Sequence, residues 1–134
     1  MAGYSGTPLV KKLGIKPTYK VYMNNAPENY FDWISPLPDK VVVLSRLQKK
    51  CDFIHLFVTR NISFQQLFLK SKKYLKKEGM LWISWPKKAS KQSTDLDENV
   101  IRKFGLENGM VDVKVCAVDD VWSGLKFMFR IIDR

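Results

Sequence analysis

Between Gly79 and Pro86 the chain runs Met80-Leu81-Trp82-Ile83-Ser84-Trp85, with Ser84 its one polar side chain. Six residues closed off by a glycine and a proline are too few for a helix. An apolar run of that length reads as a strand covered on both faces. Such strands sit inside parallel sheets, where crossover connections lay helices on either side. This one stretch therefore asks for parallel partners, helical crossovers and three layers. It also marks a place. In open α/β sheets ligands bind outside the carboxyl ends of the strands, and here that end passes directly into Pro86-Lys87-Lys88.

The remaining sequence supplies the partners. Residues 1–17 hold Gly3, Gly6, Pro8, Gly14 and Pro17, which predicts an irregular segment with one short turn over 8–13. Residues 19–24 read as a first strand. Asn25, with Glu28 three residues on and Pro27 between, predicts the start of a short helix through Tyr30, Phe31 and Ile34. Residues 40–45 read as a second strand around Val41, Val42, Val43 and Leu44, and 52–59 as a third, apolar on both faces except at His55. Ser63 is the expected cap of a helix with Phe64, Leu67, Phe68, Tyr74 and Leu75 on one stripe, and Gly79 its expected left-handed terminator.

Thr94 or Asp95 is expected to open a further helix, with Asp95 and Glu98 as a capping box and residues 105–109 as its end. Residues 111–118 alternate as an edge strand does, and 125–132 form the last strand after a turn at 119–124. The order β-α-β-β-α-β-α-β-β predicts one α/β domain over residues 1–134. Its sheet is mainly parallel, with an antiparallel last strand and with 80–85 beside 53–58 in the interior.

The chain carries a net charge of +10, unevenly spread: residues 70–91 hold eight lysines against Glu78 alone. Such a block suits phosphate or nucleic acid, and equally a solvated helix face. No apolar run approaches a membrane span, so no membrane partner is expected. Cys51 and Cys116 stand far apart without a close His or Cys companion. That usage fits a reducing cytoplasm and gives no zinc site.

Two resemblances add to this. The strand and helix order is similar to a shortened methyltransferase-type Rossmann sheet, lacking the helix–strand–helix that usually follows the second strand. Further, Ser5-Gly6-Thr7-Pro8-Leu9, Lys12-Leu13-Gly14-Ile15-Lys16, Trp85-Pro86-Lys87-Lys88, Thr94-Asp95-Leu96, Val111-Asp112-Val113-Lys114 and Trp122-Ser123-Gly124-Leu125-Lys126 resemble an uncharacterised bacterial family of unknown function. That likeness implies a small cytoplasmic bacterial protein and carries over no catalytic residue. The methyltransferase likeness implies a glycine-rich turn after the first strand and an acid after the second, to hold S-adenosylmethionine. This chain has Asn24-Asn25-Ala26-Pro27 and Leu44-Ser45-Arg46 there. No cofactor is expected, and binding of S-adenosylmethionine is expected to fail.

Individual candidates for chemistry are few. His55, the only histidine, reads as a core imidazole before it reads as a base. Asp119 and Asp120 are placed to pair with Lys87 or a metal, or simply to cap their turn. Ser84, Ser90 and Ser123 lack a nucleophile's glycine-flanked elbow, and Trp85 and Trp122 read as stacking walls or as core. What remains is the rim at the carboxyl ends of the strands: Asn24, Asn25, Arg46, Thr59, Arg60, Trp85, Lys87 and Lys88. Cations there, beside helix amino ends near Asn25 and Ser63, favour a phosphate-bearing ligand. The readings are thus a non-catalytic anion-binding protein, a nucleic-acid-binding protein working through residues 70–91, and a degenerate or divergent methyltransferase.

Overall fold

Six strands form one sheet in the computed structural model, which describes residues 6–134; Ser5 and the start of the irregular amino-terminal segment lie outside them. The strands are β1 (Lys20–Asn24), β2 (Val42–Leu44), β3 (Cys51–Phe57), β4 (Leu75–Pro86), β5 (Met110–Ala117) and β6 (Trp122–Phe129). The helices are α1 (Leu9–Leu13), α2 (Tyr30–Trp33), α3 (Asn61–Tyr74) and α4 (Glu98–Glu107). The sheet order is β2-β1-β3-β4-β6-β5. β2, β1, β3 and β4 pair in parallel, while β6 runs antiparallel to both β4 and β5. The expected adjacency holds, with Phe53 opposite Met80 and Phe57 opposite Ser84, and β5 lies at an edge.

The two-sided apolarity of β3 and β4 separates into two cores. Ile54, Leu56, Leu81, Ile83 and Trp85 pack with Phe64 and Phe68 of α3 and Ile101 of α4. Phe53, Phe57, Met80 and Trp82 pack on the opposite face with Val10 and Leu13 of α1 and with Tyr30 and Ile34. Three layers result. Trp82 is fully buried, and its indole Nε1 donates to the Leu13 carbonyl at 2.8 Å, tying α1 to the sheet.

Several sequence expectations give way to tertiary pairing. α3 ends at Tyr74 because Leu75 turns extended and pairs with Cys51 at once. Strand pairing there outweighs the helix preference of Lys76, Lys77 and Glu78. Gly79 is therefore a strand residue rather than a helix terminator; a side chain on it would press on the Asp52 carbonyl at 3.1 Å. Lys76 instead pairs with Asp52 at 3.1 Å, and Lys50 caps the helix end by donating to the Lys73 carbonyl at 2.8 Å.

At its start α3 is preceded by Arg60, not Ser63. Asn25 is left-handed, with φ of +57°, and α2 begins only at Tyr30. α4 is capped by Asp97, whose carboxylate accepts from Val100 N at 2.9 Å, so the Asp95 capping box does not form. Glu98 turns to Arg102 instead. Gly105 lies inside α4, because a Cβ there would stand 2.1 Å from the Phe127 ring; α4 runs on to Glu107 and Gly109 makes the turn at φ of +84°. The last strand begins and ends three residues early, leaving Ile131 and Ile132 exposed in a single 3₁₀ turn.

Candidate functional site

From β1 the chain moves outward to β2, then returns past β1 to place β3 on its other side. The order of strands therefore reverses between β1 and β3, and their carboxyl ends frame the crevice where open α/β sheets bind ligands. Asn24-Asn25 flanks it on one side and Thr59-Arg60 on the other. Arg46 leaves β2, and Lys87-Lys88 leaves β4.

Each rim residue has a definite setting. The Asn24 amide donates to the Tyr22 hydroxyl at 2.9 Å, and Asn25 is exposed in its left-handed turn. Arg46 is exposed, its Nε 2.7 Å from the Gln48 side-chain oxygen when that amide faces it. The Thr59 carbonyl accepts from the Thr94 hydroxyl at 2.7 Å. Arg60 is exposed and reaches Ser93 Oγ at 3.4 Å. Lys88 is exposed and opens the 3₁₀ turn Lys88–Ser90.

Two of the eight do other work. Lys87 is held, with its backbone N–H donating to the Val121 carbonyl and its ammonium to the Asp119 carbonyl, both at 2.7 Å. Trp85 is only 6% exposed and packs into the core beneath α3 and α4. Trp122 meets Phe57 edge-on at 5.1 Å.

The helix amino ends offer a phosphate little. α2 is a single turn. At α3 the Asn61 N–H already donates to the Asp95 carboxylate at 2.7 Å, so this chain's own anion fills that position. Asp119 behaves as a turn residue, its carboxylate accepting from the backbone of Val121 and Trp122 at 2.9 and 2.7 Å. Among the described residues no group of three acidic, His or Cys side chains is placed to hold a metal.

The sequence did not reveal one hydrogen-bonded chain. His55 lies between the Tyr30 hydroxyl, 2.9 Å from Nδ1, and Ser84 Oγ, 2.7 Å from Nε2. A neutral imidazole has one donor and one acceptor, which two hydroxyls satisfy. Burial holds the His55 pKa down at about 3 and raises that of the Tyr30 phenol. All three residues are fully buried, so no substrate reaches them, and they tie α2, β3 and β4 together. The available signal was that His55 and Ser84 are the lone polar interruptions of neighbouring apolar strands. Part of the lysine-rich block falls elsewhere: Lys72, Lys73 and Lys77, together with Lys50, wall a groove of about 560 Å³ with Leu69, Leu75 and Phe129 at the other end of the sheet.

Comparison with solved structures identifies the architecture. An N-methyltransferase from Bradyrhizobium japonicum superposes with a TM-score of 0.61 at 11% identity, covering 90% of this chain and 92% of that one. A SAM dependent methyltransferase from Aquifex aeolicus gives 0.59 at 17%, covering 91% and 88%. Magnesium protoporphyrin IX methyltransferase from Synechocystis, solved with bound SAM, gives 0.60 at 10%, covering 91% and 74%. The fold is methyltransferase-like Rossmann. No family model matches the chain, and no curated protein matches it at a significant level.

Within this methyltransferase-like sheet β2 is an edge strand, so the segment expected to be missing beyond it is missing among the described residues. The methyltransferase likeness implies an acid after the second strand for the cofactor's ribose hydroxyls. Arg46 stands there, exposed and turned to Gln48. At that position the residues present do not fit the ribose contact that the resemblance to S-adenosylmethionine enzymes implies.

Proposed function

We propose that the chain binds a phosphate-bearing small molecule along the carboxyl edge of its sheet and performs no chemistry on it. The observation that carries this reading is that Arg46, Arg60 and Lys88, all exposed, head the connections leaving β2, β3 and β4. With strands about 4.8 Å apart, the three cations span roughly 15 Å, the reach of a ligand bearing more than one phosphate. The Asn24-Asn25 turn fills the gap with amide donors and acceptors. Lys87, bonded to two backbone carbonyls, holds the loop that carries Lys88.

Calorimetry with nucleoside di- and triphosphates at low salt tests it. Binding is expected, and combined Arg46→Ala, Arg60→Ala and Lys88→Ala replacement is expected to weaken it at least about tenfold. These exposed changes should leave stability within about 0.5 kcal/mol. Undiminished binding by the triple variant, or none by the native chain, overturns the reading.

A second reading, a divergent methyltransferase, is supported by the likeness of the sheet to solved methyltransferases and by one local observation. Asn25 adopts the left-handed turn that glycine supplies after the first strand of such enzymes. Against it stands Arg46. S-adenosylmethionine is expected not to bind in the low micromolar range, which needs about −7 to −8 kcal/mol; if it does, this second reading replaces the first. Nucleic-acid binding through residues 70–91 would show instead as oligonucleotide affinity with a steep salt dependence, lost on Lys72→Ala with Lys76→Ala.

A further inference from the structure

The aligned residues across the sheet run Met23, His55, Trp82, Lys126 and Lys114. Partners in register share a face, so this row passes from a buried centre to two lysines on the face that carries α1. Like charges directly opposite each other in an antiparallel pair are destabilising. Lys126 is moreover half-buried, its ammonium 5.8 Å from the centroid of the Trp82 ring. Burial first, then Lys114 and Lys16, lower its pKa from the ordinary lysine value.

Two further lysines join this face from far along the chain. The Lys114 ammonium donates to the Lys12 carbonyl at 3.0 Å, docking the end of α1 beside β5. Lys12, Lys114 and Lys126 all act on the half-buried Cys116 thiol, which burial raises above its ordinary pKa. The ion pairs among the described residues join Lys76 to Asp52 and Arg102 to Glu98 and Asp112. None of them reaches these four lysines. Three separate segments thus converge to concentrate positive charge, at a cost that no ion pair among the described residues offsets.

We propose that Lys12, Lys16, Lys114 and Lys126 form a second site, for a compact, multiply charged oxyanion of the diphosphate class. Several negative charges on a small group match four ammoniums on one face, and an oxyanion beside Lys126 removes the repulsion from Lys114 and Lys16. Its seat on the β5–β6 face is separate from the carboxyl rim.

The test pairs binding with stability, using inorganic diphosphate and inorganic phosphate as probes. Diphosphate is expected to bind more tightly than phosphate and to raise the thermal midpoint of the native chain. Lys126→Met, and separately the exposed Lys114→Gln, are expected to lose affinity for diphosphate about tenfold or more. Without anion Lys126→Met should melt no lower than the native chain, because it relieves the opposed pair. The Arg46, Arg60 and Lys88 triple variant is expected to keep this affinity, which separates the present site from the rim. Equal diphosphate binding by Lys126→Met and Lys114→Gln, or its loss in the rim variant alone, overturns the proposal. So does a native chain that binds a short oligonucleotide but not diphosphate.

Discussion

At the scale of single residues, the informative side chain is His55, because it is polar, fully buried and satisfied by hydroxyls alone. An imidazole in that setting stays neutral. In the unfolded chain it takes up a proton near its ordinary value of 6.5, whereas burial in the folded chain delays that to about 3. The unfolded state therefore binds more protons throughout that window, and stability must fall as pH falls. The contribution is fully present above pH 6.5 and is lost from there towards pH 3, with a slope approaching about 1.4 kcal/mol per unit. As the chain's only histidine, His55 gives one set of imidazole resonances in NMR spectra. Those resonances are expected to stay fixed from pH 8 to pH 5 while the urea midpoint drops; a shift centred near pH 6.5 would contradict the hydrogen-bonded burial. The sequence reading of His55 as a core imidazole agrees with this setting, but its partners were not legible. Tyr30 was visible only as an apolar helix position, and Ser84 only as a break in β4.

At the scale of elements, periodicity located nearly every strand and helix, and capping chemistry misplaced most of their ends. The reason is physical. A cap residue is chosen by whichever amide lies nearest in three dimensions, and a loop that folds back brings new ones. Asp95 had every local mark of a cap for α4, yet its carboxylate meets the Asn61 N–H of α3, and Asp97 serves α4 instead. Thr94 reinforces that return by bonding the Thr59 carbonyl. Asp95→Ala is therefore expected to cost about 1 kcal/mol, within the 0.5–2 kcal/mol range of lost caps. Hydrogen exchange should locate the damage: the Asn61 amide loses protection, while that of Val100 in α4 does not. Protection lost at Val100 and kept at Asn61 would restore the local assignment. The loss of helix at Leu75 has the same origin, since pairing with Cys51 is a contact no local pattern encodes.

At the scale of the whole molecule, the fold was legible because two strands were apolar on both faces and one alternated. The site was less so: the sequence placed eight residues on one rim, and folding drew Trp85 into the core and tied Lys87 to the backbone. The net charge of +10 acts on the molecule as a body. Self-repulsion weakens the folded state and is screened as the Debye length shrinks from about 30 Å at 0.01 M salt to about 8 Å at 0.15 M. The thermal midpoint is accordingly expected to rise over that range of sodium chloride; a fall would mean that attractive ion pairs dominate. Screening has a second effect, at the margins of the sheet. β2 leaves Val42 and Val43 nearly half-exposed at one edge, and β5 leaves Val113 and Val115 so at the other. A valine-bearing edge with free backbone groups is a template for another strand. Mutual repulsion between molecules is then what guards those margins from one another, and salt that steadies each molecule also lowers the barrier between neighbours.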